Sequence, residues 1–404
     1  MKQIPKISFS QFDDKWSSIE IGNLAQIKRG ASPRPIQDPK WFDKNSDIGW
    51  LRISDVTEQN GRIKYLEQKI SKLGQEKTRV LNTPHLLLSI AATVGKPVVN
   101  YVKTGVHDGF LIFENPKFDR EFMFQWFDMF RPKWNKYGQP GSQVNLNSDI
   151  IRNHKMMIPS LPEQSAIGSL FRTLDDLLSS YKENLANYQS LKATMLSKMF
   201  PKAGQTVPEI RLDGYKGEWD LIKLGDFCDL ITKGTTGKSQ SEQGKVNFIK
   251  VENLKDNEIY PIVKISEEEH FGSLKRSILY EGDVLFSIAG TLGRTAIVKK
   301  NILPANTNQA LAIIRGYKLD EYFLLVVLSG EVVKDYIRKN PTVGAQPNLS
   351  LEQVSSLKIK IPSLEEQQAI GAYFSILDNL IATHQEKISQ LETLKKKLLQ
   401  DMFI

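Results

Sequence analysis

Apolar residues recur at alternating steps of four and three positions in two stretches of the chain, residues 158–201 and 361–404. A spacing of 3.5 residues that continues over three or more heptads is typical of a coiled-coil seam rather than of an ordinary amphipathic helix. The predicted seam residues are Ile167, Phe171, Leu174, Leu178, Tyr181, Leu185, Tyr188, Ile370, Phe374, Leu377, Ile381, His384, Ile388 and Leu391.

The length of these helices limits how their apolar stripes can be buried. About 40 residues at 1.5 Å per residue make a helix roughly 60 Å long. Because a globular domain of about 150 residues is too small to cover such a stripe, we expect the two helices to pair with each other. An antiparallel pair would allow a pseudo-twofold arrangement with one globular domain at each end. The pattern alone leaves a parallel pair open.

Each helix has a start signal. Ser160 with Glu163, and Ser363 with Glu366, match the S-x-x-E capping box. In that motif the two side chains satisfy backbone N–H groups that have no partner inside the helix.

The two helical stretches are copies of each other. Residues 158–201 align with 361–404 without a gap, and 19 of the 44 positions are identical. The similarity continues outside the helices: WSSIEIGNLAQIKRG from Trp16 parallels WDLIKLGDFCDLITKG from Trp219, and LSIAATVGK from Leu88 parallels FSIAGTLGR from Phe286. A repeat on this scale indicates a tandem duplication of a whole structural unit.

The remaining sequence predicts globular domains of mixed structure. Short β-rich runs (VVNYV, GFLIF, VNFIKV, DVLFSIAG and TAIV) alternate with turn signals, and 119–130 and 320–337 read as helices. The predicted fold is α+β (mixed α/β), with two tandem-repeated globular domains separated by two long helices that form an antiparallel coiled coil. The four segments are 1–157, 158–201, 202–360 and 361–404, and residues 201–219 form a linker rich in Pro and Gly.

Composition and charge narrow the function classes. The chain is 40% hydrophobic and 25% charged, has no apolar run of about 20 residues and no signal-peptide pattern, and contains one cysteine, which together predict a soluble protein of the reducing cytoplasm. Net charge is +8. Lys and Arg outnumber Asp and Glu by 24 to 16 in residues 1–157 but only balance them, 4 to 4, in 158–201. A polyanionic partner is therefore expected to bind the globular domains rather than the helices.

The motifs IPSLPEQSAI from Ile158 and IPSLEEQQAI from Ile361 resemble the L-x-E-Q-x-x-I start of the conserved helical regions in specificity subunits of type I restriction–modification systems. The order of segments is similar to that family over essentially the whole chain. The resemblance implies a DNA-binding subunit that reads a bipartite asymmetric target, with one target-recognition domain per half-site. It implies that the helices act as spacer and docking surface for two methylation subunits, with restriction subunits in the full complex.

The resemblance places the chemistry in partner subunits, which would carry S-adenosylmethionine, ATP and Mg. No Asp, Asn or Ser is followed by Pro-Pro and an aromatic residue, as an amino-methyltransferase requires. TKGTTGKS from Thr232 lacks the first glycine of a phosphate-binding loop, and the five histidines and one cysteine have no metal-ligand spacing. Asp175-Asp176 reads as a solvated helix face. We therefore expect no catalytic residue, metal or cofactor in this chain.

Candidate DNA contacts are basic residues in loops beside the repeated motifs, because Arg can pair with guanine and Lys can hold phosphate. Any single one of them could equally be an ordinary surface charge. Both copies keep two positions basic, Arg52 with Lys250 and Lys96 with Arg294, which favours a shared task such as phosphate contact. The candidates are Lys28, Arg29, Arg34, Arg52, Lys96, Lys233, Lys238, Lys250 and Arg294. Polar residues just before the helices, Asn147 and Ser350 among them, read as turn and capping residues.

Two other function classes stay open at this point. The chain could be half of a self-sufficient methylase or nuclease, although it lacks the motifs. It could also be a coiled-coil scaffold that binds only proteins.

The seam predicts that helix length acts as a ruler. Inserting or deleting a heptad within 158–201 or 361–404 should change the spacer of the DNA target while both half-sites stay the same. Sequencing of methylated sites in the host checks this, and an unchanged spacer would contradict the ruler.

Overall fold

The repeat seen in the sequence corresponds to two units in a computed structural model, which describes residues 4–137, 146–237, 244–339 and 348–403. One unit comprises residues 1–182 with 386–404, and the other comprises residues 183–385. Each unit therefore contains one globular domain, the first part of the helix that follows it, and the last part of the other helix. Within each unit the two helix parts come from opposite ends, so the pairing is antiparallel.

The first unit contains three sheets, of orders β2-β9-β6-β7-β4, β3-β8-β5 and β1-β10. Its strands are β1 (Ser17–Glu20), β2 (Gln26–Arg29), β3 (Gly49–Trp50), β4 (Arg62–Ile63), β5 (Arg79–Leu81), β6 (Leu86–Ser89), β7 (Pro97–Asn100), β8 (Thr104–Val106), β9 (Phe110–Glu114) and β10 (Lys155–Ile158). Its helices are α1 (Ile53–Glu58), α2 (Lys72–Gln75), α3 (Arg120–Phe130), α4 (Ser148–Arg152) and the start of α5 (Leu161–Lys198).

The second unit contains sheets of orders β12-β20-β17-β18, β16-β13-β19, β11-β21 and β14-β15. Its strands are β11 (Asp220–Lys223), β12 (Cys228–Lys233), β13 (Val246–Ile249), β14 (Leu254–Lys255), β15 (Glu258–Ile259), β16 (Val263–Ile265), β17 (Val284–Ser287), β18 (Thr295–Ile297), β19 (Ala305–Thr307), β20 (Leu311–Tyr317) and β21 (Lys358–Ile361). Its helices are α6 (Glu267–Phe271), α7 (Glu321–Ser329), α8 (Glu331–Lys339), α9 (Leu351–Ser355) and the start of α10 (Leu364–Met402).

These elements confirm the predicted α+β class. All five β-rich runs contain strands, and 119–130 contains α3. The predicted helix 320–337 is divided at Gly330 into α7 and α8. None of the helices in the described part of the chain combines the length and the apolar run that a membrane crossing requires.

A short antiparallel pair closes each globular domain just before its long helix. In the first unit β1 pairs with β10, so that Ser17 faces Ile158. In the second, β11 pairs with β21, so that Asp220 faces Ile361. Both partners move by 203 residues between the copies, so the register is identical. The strand that begins each domain is thereby paired with the strand that directly precedes its long helix.

The repeated Glu-Gln-x-x-Ile-Gly motif docks each long helix on its own domain. In the first unit the Gln164 amide donates to the Pro159 carbonyl at 2.8 Å and accepts from the Asp119 N–H at 2.9 Å. Asp119 in turn caps α3 by accepting from the Phe122 N–H at 2.9 Å. Gly168 lies directly against this cap, since a Cβ there would be 2.6 Å from Asp119 Oδ1.

The second unit repeats the same docking. Gln367 binds the Pro362 carbonyl and the Asp320 N–H at 3.0 and 3.1 Å, and Asp320 caps α7. A Cβ at Gly371 would be 2.3 Å from Asp320 Oδ1. The motif is therefore repeated because each domain needs the same joint between a helix start and a capped helix.

Gly168→Ala should destabilise the protein by about 1–3 kcal/mol, because the added methyl group has no space against the α3 cap. The measurement is the midpoint of urea unfolding. Ser169→Ala, at the exposed neighbouring position, is the matched control and should leave the midpoint unchanged. Equal midpoints for Gly168→Ala and the control would show that the joint tolerates a wider spacing.

Candidate nucleic-acid interface and spacer helices

The predicted seam residues lie on the packed faces of the two long helices. Those near each helix start are buried: Ile167, Phe171, Leu174, Leu178, Ile370, Phe374 and Leu377. Those farther along are half-buried: Tyr181, Leu185, Tyr188, Ile381, His384, Ile388 and Leu391. The His384 ring lies edge-on to Tyr188, with centroids 5.1 Å apart, and its Nδ1 lies 2.8 Å from the Leu380 carbonyl oxygen. His384 is thus a packed seam residue.

A phenylalanine follows each long helix, Phe200 after α5 and Phe403 after α10, and packs with the core of the unit it joins. In the first unit the Phe403 ring lies 5.2 Å from Phe122 and 5.8 Å from Phe171. In the second unit Phe200 lies 5.9 Å from Phe323 and 6.1 Å from Phe374. The Met-Phe end of one copy therefore completes the core around the helix start of the other copy.

The glutamates of the predicted capping boxes have partners outside the helix. Glu163 Oε1 accepts from the Trp16 indole N–H at 3.2 Å, and burial raises the pKa of Glu163 while that bond lowers it. Glu366 accepts from two nitrogens of the Arg211 guanidinium, Nε at 2.8 Å and Nη2 at 2.7 Å. The Glu366 N–H donates to Ser363 Oγ at 3.4 Å. The Glu of this motif ties the helix start to the segment that enters the domain, a role that the S-x-x-E pattern alone does not indicate.

Continuing the seam spacing by one step reaches Lys192 and Lys395, and both carry ion pairs. Lys395 binds Asp175 Oδ1 at 2.6 Å in the first unit, and Lys192 binds Asp378 in the second. The side chains of Asp175 and Lys395 are only 12% and 15% exposed. Sequence reasoning missed these four residues, although both the lysine and the aspartate are identical in the two copies.

The expectation that Asp175-Asp176 forms a solvated face is wrong for Asp175. Its Oδ2 accepts from Arg62 at 2.9 Å and from Gln125 at 2.7 Å, so the carboxylate joins both helices to the globular domain of the first unit. Burial would raise the pKa of Asp175, but Lys395 and Arg62 hold it below its usual range. Asp176 is 55% exposed. A helix turns by about 100° per residue, which separates the environments of two neighbours.

Asp378 holds the corresponding position in the second unit. Its Oδ2 accepts from the Tyr322 hydroxyl of α7 at 2.7 Å. Burial first, and then this hydrogen bond, raises the pKa of Tyr322, so the hydroxyl stays protonated and donates.

The loop after β2 carries an exposed candidate for reading DNA. Arg34 is 73% exposed and binds Asp108 Oδ2 at 2.7 Å, and Arg29 donates to the Asp108 carbonyl at 2.6 Å. Ser32 donates to Asp108 Oδ1 at 2.8 Å. Burial would raise the pKa of Asp108, but Ser32 and the arginines lower it, so the carboxylate is available to bind Arg34 while the backbone carbonyl of the same residue binds Arg29.

The second unit builds the same loop anchor without charge. Thr236 donates to Gln309 Oε1 at 2.8 Å, the equivalent of the bond from Ser32 to Asp108. Gly30 and Gly234 start the two loops, and each lies directly against the turn between two strands, since an added Cβ would be 2.1 Å from the carbonyl oxygen of His107 or Asn308. One scaffold therefore presents two different surfaces at the same place.

The other basic candidates differ in their exposure and in whether they already have ion-pair partners. Lys28 pairs with Glu114 at 2.5 Å, and Arg52 binds Asp55 at 2.8 Å. Lys233 is exposed and Lys250 half-buried, and Lys238 lies outside the described residues. For these residues, as for Arg29 and Arg34, DNA contact stays a prediction.

The pair Lys96 and Arg294 has an internal task in both copies. Lys96 binds Asp128 and Asn60, both at 2.9 Å, and is 13% exposed. Arg294 donates to the carbonyls of Val251 and Leu254 at 3.2 Å. Each cation thus fastens a neighbouring turn, which explains why both copies keep it. Phosphate contact by Lys96 and Arg294 stays a prediction, and the Lys96 ammonium already has two partners within the domain.

Asn147 and Ser350 cap α4 and α9, as predicted.

Among the described residues, no three His, Cys, Asp or Glu side chains form a group that could hold a metal ion.

Asp175→Asn should cost about 3–5 kcal/mol at pH 7, because it leaves buried Lys395 without a counter-charge. Since the folded-state pKa of Asp175 is lowered, its stabilisation is present above about pH 4 and is lost as pH falls below that value. The variant should therefore lose less stability than the wild type on acidification through this range. Urea unfolding at pH 3 to 7 measures both effects, with exposed Asp176→Asn as control. Identical pH profiles for Asp175→Asn and the wild type would rule out the ion pair as the cause.

Comparisons with known proteins agree with this architecture. The model of the family "Type I restriction modification DNA specificity domain" matches residues 13–187 and 216–393, one match per copy. The MjaVIII specificity subunit of Methanocaldococcus jannaschii, a type I restriction enzyme subunit, is 24% identical over 265 residues, which are 63% of this chain and 62% of that protein. The EcoBI specificity subunit of Escherichia coli is 24% identical over 286 residues, 64% of this chain and 60% of that protein.

The aligned part thus spans about three fifths of these two relatives. The crystal structure of a type I restriction–modification S subunit from M. genitalium has the same fold, with a TM-score of 0.64 at 15% identity and 99% of each chain covered. With the family model matched twice along the chain, this protein belongs to the type I restriction–modification DNA specificity domain family.

Proposed function

We propose that this chain is the sequence-specific DNA-binding subunit of a type I restriction–modification assembly. Each recognition domain reads one half of a bipartite, asymmetric target, and the paired helices set the distance between the half-sites. The observation that carries the proposal is the duplication of one scaffold with different loop chemistry. Ser32 and Asp108, whose carboxylate also binds Arg34, occupy the place that Thr236 and Gln309 occupy in the second unit.

The different loops would give the two half-sites different sequences. An exposed arginine such as Arg34 can donate two parallel hydrogen bonds to guanine O6 and N7. Asp108 would hold that guanidinium in place before DNA arrives, so less side-chain freedom is lost on binding. The uncharged Thr236–Gln309 pair favours a different base pattern, and the neighbouring lysines would supply contacts to phosphate.

The helices would dock the partners that carry the chemistry. Their near-neutral charge favours protein contact over phosphate contact. We propose two methylation subunits, which bind S-adenosylmethionine, and restriction subunits that use ATP and Mg. This chain itself would bind no cofactor and catalyse no step, and it would act in the cytoplasm, where the DNA is.

The test is co-expression of the chain with its methylation subunits, followed by sequencing of methylated sites. We expect one bipartite motif, and purified chain mixed with DNA and S-adenosylmethionine alone should transfer no methyl group. Replacing residues 1–157 by another recognition domain should change one half-site and leave the other half-site and the spacer intact. A change in both half-sites would contradict the assignment of one domain per half-site.

Methylation by the chain alone would favour a self-sufficient enzyme instead. Binding to random duplex DNA that does not weaken as salt rises, or no binding at all, would favour a scaffold that contacts only proteins.

Arg34→Ala should weaken binding to the target more than to random DNA, whereas Lys96→Ala, at a cation with internal partners, should affect both equally.

A further inference from the structure

The two ion pairs between the long helices obey one register. Residue 175 faces 395 and residue 192 faces 378, so the residue numbers add to the same value in both pairs. All four side chains are 22% exposed or less. Each pair lies within one unit, where it joins α5 to α10.

The apolar seam does not by itself define this register. Leu, Ile, Phe and Tyr recur along both helices, so a shift of one helix by seven residues again sets apolar residues against apolar residues. Repeating seams of this kind are prone to alternative registers unless a polar residue selects one.

The ion pairs do distinguish the registers. After a shift of seven residues, Asp175 would face Ile388 and Asp378 would face Leu185. Each carboxylate would then be buried against an aliphatic side chain without its lysine, which is strongly unfavourable.

Each aspartate is also fixed to its recognition domain. Asp175 accepts from Arg62 of β4 and Gln125 of α3, and Asp378 accepts from Tyr322 of α7. The same carboxylate therefore sets the position of the second helix relative to a domain that already holds the first helix.

We propose that Asp175 with Lys395, and Asp378 with Lys192, are positioning residues that select a single register of the helix pair and so a single spacer length in the DNA target. This inference rests on the proposed function for its DNA consequence, whereas the register itself can be measured without DNA. The competing explanation is that Phe200 and Phe403 at the helix ends set the register.

The register can be measured with cysteine pairs in full-length protein carrying Cys228→Ser. Tyr188→Cys with His384→Cys reports the observed register, because these rings are in contact. Tyr188→Cys with Leu377→Cys reports a shift of seven residues. In otherwise wild-type protein, only the first pair should form a disulfide.

The decisive variant replaces Lys192, Asp378, Asp175 and Lys395 by leucine. An apolar replacement of a buried ion pair keeps helices associated, so the variant should still fold. The disulfide for the shifted register should increase about tenfold or more, and co-expression with methylation subunits should yield methylated sites with more than one spacer. An exclusive disulfide at 188 and 384 together with a single spacer would overturn the proposal in favour of the helix-end phenylalanines.

A milder series covers the case in which that variant fails to fold, as judged by circular dichroism. Lys192→Asp sets a carboxylate against Asp378 and should raise the shifted disulfide, and adding Asp378→Lys should suppress it again. The absence of either effect contradicts the proposal. The matched control is Lys182→Leu with Glu392→Leu, an ion pair on the same helices that is half-exposed and should leave the register unchanged.

The two readouts separate the two hypotheses. A wild-type protein that directs no bipartite methylation would contradict the proposed function, while the disulfide pattern would still decide the role of the ion pairs.

Discussion

The antiparallel pairing of α5 and α10 is the constraint on which the rest of the structure depends. A single helix of about 40 residues cannot bury a coiled-coil stripe alone. The pairing supplies that burial, and it also brings Phe403 to Phe122 in one unit and Phe200 to Phe323 in the other. Because the core of each recognition domain includes the end of the helix from the other copy, neither copy is complete by itself. Duplication in one chain provides both ends at once.

Two kinds of contact hold each long helix in place, one at its start and one farther along. At the helix start the Glu-Gln-x-x-Ile-Gly motif fixes the helix to its own domain through backbone groups, as Gln164 does with Pro159 and Asp119. Farther along, Asp175 and Lys395 join the second helix at a buried ion pair. Apolar burial supplies most of the association, and the directional hydrogen bonds and charges restrict its geometry.

A similar division between residues that hold the fold together and residues exposed at the surface is found in the recognition domains. Basic residues that both copies keep, such as Lys96 and Arg294, fasten turns within the domain. Asp108, the carboxylate that binds Arg34, is replaced by the uncharged Gln309 in the second copy. Lys96 and Arg294 thus belong to the scaffold, whereas the loop anchors that differ between the copies mark the surface on which the two half-sites would differ. Counting Lys and Arg along the chain cannot distinguish a basic residue of the scaffold from an exposed one, since a lysine that binds Asp128 and a lysine in water are the same residue type.

The sequence by itself determined the duplication, the two long helices, their seam, the α+β class and the family, because each of these is written in local periodicity or in a repeated motif. Local patterns left open the parallel or antiparallel pairing, the strand order, the partners of Glu163 and Glu366, and the burial of Asp175. Only the tertiary structure decided these. They depend on contacts between residues far apart in sequence, such as Lys395 with Asp175 at a separation of 220 and Arg211 with Glu366 at 155. An aspartate in a helix has the same sequence pattern whether its carboxylate faces water or a buried lysine. Only the fold brings that lysine close to it.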